Sequence, residues 1–86
     1  MIDPDKVDRA QIRAARALLD WTQPDLANAA NVALATLKRF EIGHTQPIPT
    51  VRSAIVRALE AQGIQFHYDQ KRAYVSLDVK KLKRSA

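Results

Sequence analysis

The chain has 86 residues, 47% of them hydrophobic and 27% charged, with no cysteine and a formal charge of +5. That length supports one small domain rather than two independent cores, and the apolar content excludes a disordered or fibrous class. The missing cysteines exclude a disulfide framework and a thiolate metal site, and neither a membrane-span-length apolar run nor a signal-peptide core is present, so a soluble cytoplasmic protein is expected.

The charge is unevenly placed. Lys6, Arg9, Arg13 and Arg16 are offset by Asp3, Asp5, Asp8 and Asp20, and Lys38 and Arg39 by Asp25 and Glu41. The surplus falls within residues 51–86, mostly in Lys71, Arg72, Lys80, Lys81, Lys83 and Arg84. Such a surplus suits a polyanionic partner, or else forms a solvated basic tail. His44 and His67 are too isolated to make a metal site. Ser53, Ser76 and Ser85 lack a nucleophile context, and no glycine-rich phosphate loop occurs. No cofactor, metal or catalytic activity is expected.

In chain order, residues 1–8 read as a frayed lead-in, with Asp5 or Asp8 placed to cap a first helix. Helical spacing of Ile12, Ala15, Leu18 and Leu19 carries that helix to about residue 19. Arg13 should face solvent. Arg16 lies one turn from Ile12 on the buried side, so it calls for a carboxylate partner. Trp21, the single tryptophan, is expected to close the corner into the next helix as core.

Thr22 is a good N-cap, followed by Pro24 in the first turn and Asp25 near the positive dipole end. A short helix over about 23–30 then buries Leu26, Ala27 and Ala30. Asn31 sits where the chain must reverse, and asparagine tolerates a left-handed backbone. Val32 plugs the turn, and a third helix over about 33–42 follows. Leu37, Phe40 and Glu41 fall on one side of it, with Ala35, Lys38, Arg39 and Ile42 on the other. A face of small, apolar and basic groups suits a groove offering acceptors, phosphates and thymine methyls. Gly43 stops the helix. After a loop with two prolines, Thr50 is placed to cap a fourth helix over about 51–62, with a stripe of Val51, Ala54, Ile55, Ala58 and Leu59. Beyond Gly63 the period changes to two, predicting a β-hairpin over about 64–79. Its turn, 69–72, has no glycine and so no strong turn signal. A basic tail, 80–86, ends the chain.

The stretch TQPDLANAANVALATLKRFEIG, residues 22–43, resembles the helix-turn-helix of the Cro/CI-type (XRE, lambda-repressor-like) family of DNA-binding regulators. Thr22, Gln23, Leu26, Ala27, Val32, Thr36, Leu37, Phe40, Glu41 and Gly43 carry the match. The wider run over residues 8–66 looks like a compact bacterial subgroup of that family. The sequence departs from the pattern at Asn31, where glycine is usual, and at Ala33, where a Ser or Thr cap is usual. The resemblance implies a mainly α fold: one compact four-helix lambda-repressor-like helix-turn-helix domain, with the hairpin C-terminal to it.

It also implies roles. Ala33, Leu34, Ala35, Lys38 and Arg39 would face base edges, Arg39 as the main polar reader through the two acceptors of a guanine. Thr22, Gln23, Thr36, His44, Thr45, Gln46 and Arg52 would contact the phosphate backbone. Arg16 and Glu41 would form a structural ion pair between the first and third helices. One short helix reads only about four to six base pairs, so a homodimer on a palindromic operator is expected. Ile64, Phe66, Tyr68, Tyr74, Val75, Leu77 and Val79 exceed what four small helices need for cover, and they are the expected dimer surface, Phe66 having the alternative of closing the core of the single chain. The implied protein is a small repressor of a phage or mobile element, associated with the nucleoid. Its further partner would be RNA polymerase or an antagonist protein. The alternative is a protein-binding module, an antitoxin or antiactivator, on the same fold.

Overall fold

Four helices and one hairpin follow one another in the computed structural model, which describes residues 3–81. They are α1 (Arg9–Leu19), α2 (Gln23–Ala30), α3 (Leu34–Glu41), α4 (Pro49–Glu60), β1 (Ile64–Tyr68) and β2 (Ala73–Leu77). The mainly helical class with a C-terminal antiparallel hairpin is as expected. Of the basic tail, Lys80 and Lys81 are exposed, and residues 82–86 lie outside the described residues.

Local chemistry explains most of the boundaries. Asp8 caps α1 in a reciprocal box: its carboxylate accepts from the Ala10 amide, and Gln11 Oε1 accepts from the Asp8 amide at 2.9 Å. Thr22 and Asp25 repeat the device at α2. The two helices end on left-handed residues, Asp20 and Asn31, both at φ 56°. After Asn31 the Val32 amide reaches back to the Ala27 carbonyl at 3.0 Å, closing the turn that separates α2 from α3. At Ala33 no side chain caps α3. The fourth helix corrects expectation: it begins at Pro49 with Ile48 as its uncapped N-cap, not behind Thr50. Proline at the first helical position has its φ already set and loses no helical bond, so it starts the helix earlier than a threonine cap would.

Residues 3–8 also differ from a frayed lead-in. Pro4–Lys6 makes a single 3-10 turn, and Val7 behind it is 1% exposed, packed into the core. Arg52 holds this segment by donating to the carbonyls of Asp5 and Val7. The core is otherwise built from Ile12, Leu26, Leu37, Ile55 and Leu59, all fully buried, with Phe40 beside them. Two positions depart from the helical stripes read above. Leu18 is largely exposed while Gln11 is buried, and Val56 is buried although it lay outside the stripe of α4. Val56 is covered because α4 has neighbours on more than one side: α2, the 3-10 turn and β1.

The hairpin pairs Ile64 with Leu77, Phe66 with Val75 and Tyr68 with Ala73. Its turn takes its chemistry from Asp69, whose Oδ1 accepts from the Lys71 and Arg72 amides, both at 2.8 Å. An aspartate closing its own loop in this way replaces the missing glycine. Gln11 then fastens the sheet to α1, donating from Nε2 to the carbonyls of His67 at 2.9 Å and Tyr74 at 3.1 Å. Among the described residues no helix is long and apolar enough to cross a membrane.

Candidate nucleic-acid interface

The two faces of α3 are held apart by burial. Leu37, Phe40 and Glu41 are turned inward, at most 3% exposed. Ala33, Ala35, Lys38, Arg39 and Ile42 are exposed, Ile42 at 61%. Leu34 and Thr36 lie on the flanks, half-buried, with Leu34 packed on the core. The eight-residue ridge is about 12 Å long and presents methyl groups beside two cations. Nothing folds over its outer face among the described residues, so Lys38 and Arg39 retain their donors for an external acceptor.

What fixes the ridge is a buried carboxylate. Glu41 is 1% exposed, and its two oxygens are met by Arg16, Nη2 to Oε1 at 2.6 Å and Nε to Oε2 at 2.8 Å. Arg16 Nη1 also donates to the Trp21 carbonyl at 3.1 Å, and Gln23 Nε2 donates to Glu41 Oε1 at 3.2 Å. A forked guanidinium on a carboxylate, with remaining donors used nearby, is the geometry that offsets the desolvation of both charges. The pair expected between the first and third helices is therefore present, and it also draws in the start of α2.

Apart from the half-buried Thr36, the residues expected at phosphates divide into two groups. His44, Thr45 and Gln46 are exposed on the loop after α3. Thr22 and Gln23 are engaged locally, Thr22 in the α2 capping box and the Gln23 side chain on Glu41. Arg52 holds the lead-in carbonyls, donates to Gln46 Oε1, and lies 5.1 Å from the centroid of the Phe40 ring. Arg52 therefore acts inside the molecule as a clasp between the lead-in, α4 and the loop after α3. Carbonyls and a ring do not neutralise it, so its charge still contributes to the local field.

Of the residues expected to pair two copies, Ile64 and Phe66 are 2% and 5% exposed and belong to the core of the single chain. Val75 and Leu77, opposite them, are half-buried against the same core. One face of a two-stranded sheet must be covered, and here the helices cover it. The exposed aromatic and apolar groups are Tyr68, Tyr74 and Val79, at 55%, 51% and 74% exposure: Tyr68 on the face of Ile64 and Phe66 at the turn end, Tyr74 on the opposite face, and Val79 beyond β2. The Tyr74 ring stacks on His67 with centroids 4.6 Å apart, and His67 Nε2 lies 2.9 Å from Ser76 Oγ.

The structure adds residues that sequence reasoning left aside. Arg9 and Arg13 of α1 reach the C-terminal end of α3, Arg13 by a hydrogen bond to the Glu41 carbonyl and Arg9 by lying over Gly43. The cations around the ridge thus come from α1 and α4 as well as from α3. No group of His, Cys, Asp and Glu among the described residues is arranged to hold a metal ion. No protein-family model matches the chain, and no curated protein matches it significantly.

Proposed function

We propose that this chain is a sequence-specific double-stranded DNA-binding regulator, working as the Cro/CI-type helix-turn-helix proteins it resembles. The observation that carries the reading is α3: an outer face of Ala33, Ala35, Lys38, Arg39 and Ile42 is exposed while the inner face is locked through Leu37, Phe40 and Glu41. A single exposed helix face suits the major groove, where Arg39 bonds guanine acceptors and the alanines and Ile42 meet thymine methyls. His44, Thr45 and Gln46 then flank the reading helix at the phosphates. The protein acts as a small repressor by covering a promoter. Two copies on a palindrome supply the specificity that one short helix lacks, paired through exposed groups on and just beyond the hairpin, Tyr68, Tyr74 and Val79.

The test begins with selection of bound duplexes from a random pool, followed by mobility shift with Arg39→Ala. Loss of about 1–3 kcal/mol of discrimination, with weak salt-sensitive binding retained, supports base readout. Sedimentation that finds a monomer both free and on the selected duplex removes the dimer. A second reading, a protein-binding module, is favoured by one observation: Ile42 at the end of α3 and Ile48 at the start of α4 expose 61% and 64% of their surface. A wild-type chain with no duplex affinity at low salt selects that reading.

A further inference from the structure

The third helix is short and weakly held at its start. It has eight residues, its N-cap is Ala33, and no side chain bonds its first amides. Its other end is unusually well held. Three arginines of α1 project one turn apart, at 9, 13 and 16; Arg13 and Arg16 meet the last residue of α3, and Arg9 lies over Gly43 just beyond it. Arg16 takes the Glu41 carboxylate. Arg13 Nη1 donates to the Glu41 main-chain carbonyl, across 28 residues of chain. Arg9 lies so close over Gly43 that an added Cβ there would sit 1.4 Å from its Nη1. The last carbonyls of a helix carry its negative end and lack partners within it, so cations placed there are both bonded and favoured by the dipole.

We propose that Arg13, with Arg9 beside it, is a positioning residue for base readout: it seats the C-terminal turn of α3 and so sets where Lys38 and Arg39 meet the bases. The inference rests on the DNA-reading function proposed above. Leu37 and Phe40 pack the inner face of α3, and the ion pair of Arg16 fixes the Glu41 carboxylate. Arg13 adds an attachment on the backbone itself, with Arg9 lying beside it over Gly43. With no cap at Ala33, the side-chain hydrogen bonds that hold α3 among the described residues all lie at this end. Arg13 acts through the backbone of Glu41 and does not touch a base.

Hydrogen exchange and binding test this together, on the full chain. The amides of Ile42, Gly43 and His44 close α3 on the carbonyls of Lys38, Phe40 and Arg39, at 3.2, 3.0 and 2.9 Å. In Arg13→Met these three amides should exchange about tenfold faster while the amides of α2 keep their protection, because one charged hydrogen bond is lost locally. Arg13→Lys keeps the charge and should recover part of that protection, and Arg9→Gln should show the same pattern more weakly.

On a duplex selected from a random pool, the ratio of its affinity to that of a scrambled duplex should fall roughly tenfold in Arg13→Met, the size of one lost base contact. The salt slope should stay unchanged. A slope lowered by about one, with both duplexes weakened alike, makes Arg13 a phosphate contact and overturns the proposal. Faster exchange spread evenly over all the helices makes it merely structural, and unchanged exchange at 42–44 means that no clamp exists. A wild-type chain that enriches no duplex defeats the functional reading itself, while exchange at 42–44 still decides whether α1 holds α3.

Discussion

Replacing Arg16 by methionine keeps most of its aliphatic volume but leaves the Glu41 carboxylate in the core with only Gln23 beside it. Glu41 is 1% exposed and the Arg16 side chain 18%, so solvent screens this pair little. Removing one partner of a buried pair strands the other charge, at about 3–5 kcal/mol. For a domain of this size each kcal/mol moves the melting midpoint by roughly 4–8 °C, so the midpoint should fall by about 12 °C or more. The second half of the prediction is sharper. Arg16→Met combined with Glu41→Leu removes both charges and both desolvation penalties, and it should be more stable than Arg16→Met alone. Thermal unfolding followed by circular dichroism at neutral pH reads both variants. A single-variant loss below about 1 kcal/mol, the range of exposed pairs, would mean that Glu41 finds other compensation. A double variant no better than the single would show that Arg16 stabilises by packing and by its bond to Trp21, and would refute the argument from charge.

Three further outcomes follow from the geometry. Gly63 has φ 97°, and an added Cβ would stand 2.7 Å from the backbone oxygen of Asp78, which cannot swing away. Gly63→Ala should therefore lose about 2 kcal/mol or more in denaturant unfolding. Gln11→Leu removes the donors to the His67 and Tyr74 carbonyls and the acceptor of the Asp8 amide, three part-buried bonds that tie α1 to its cap and to the hairpin. It should destabilise by about 1–3 kcal/mol, with hydrogen exchange accelerated first in β1 and β2. Asn31→Ala puts a Cβ residue without local side-chain bonding at φ 56° and should lose about 1 kcal/mol, whereas Asn31→Gly should stay within about 0.5 kcal/mol of wild type. Equal melting midpoints for Asn31→Ala and wild type would remove the left-handed turn as a constraint on α2 and α3.

What the sequence determined by itself is what depends on neighbours in the chain. The cap at Thr22, the reversal at Asn31, the stop at Gly43 and the alternation of Ile64, Phe66, Val75 and Leu77 are all local signals, and each stands where it was read, while of the two candidate caps for α1, Asp5 and Asp8, it is Asp8 that serves. The division of α3 into an inner and an outer face was legible for the same reason, since a helix turns by a fixed angle per residue. The turn at Asp69 was local too, but its signal is a side chain bonding its own loop rather than a glycine.

Only the tertiary structure decided the rest, because those contacts join residues far apart in sequence. Gln11 closes the cap of α1, and the same side chain spans 56 and 63 residues to bond the hairpin. Arg13 is exposed, as read, but its bond to the Glu41 carbonyl exists only because the end of α3 is brought against it. Arg52, expected at a phosphate, is drawn onto Asp5 and Val7, 47 and 45 residues earlier. Ile64 and Phe66 have the same composition whether they face a partner or their own helices, and only the packing of α1 and α4 against the strands turned them inward. Hydrophobic periodicity tells which side of an element is buried, but not what buries it. An arginine's long side chain leaves its partner open until the fold supplies one.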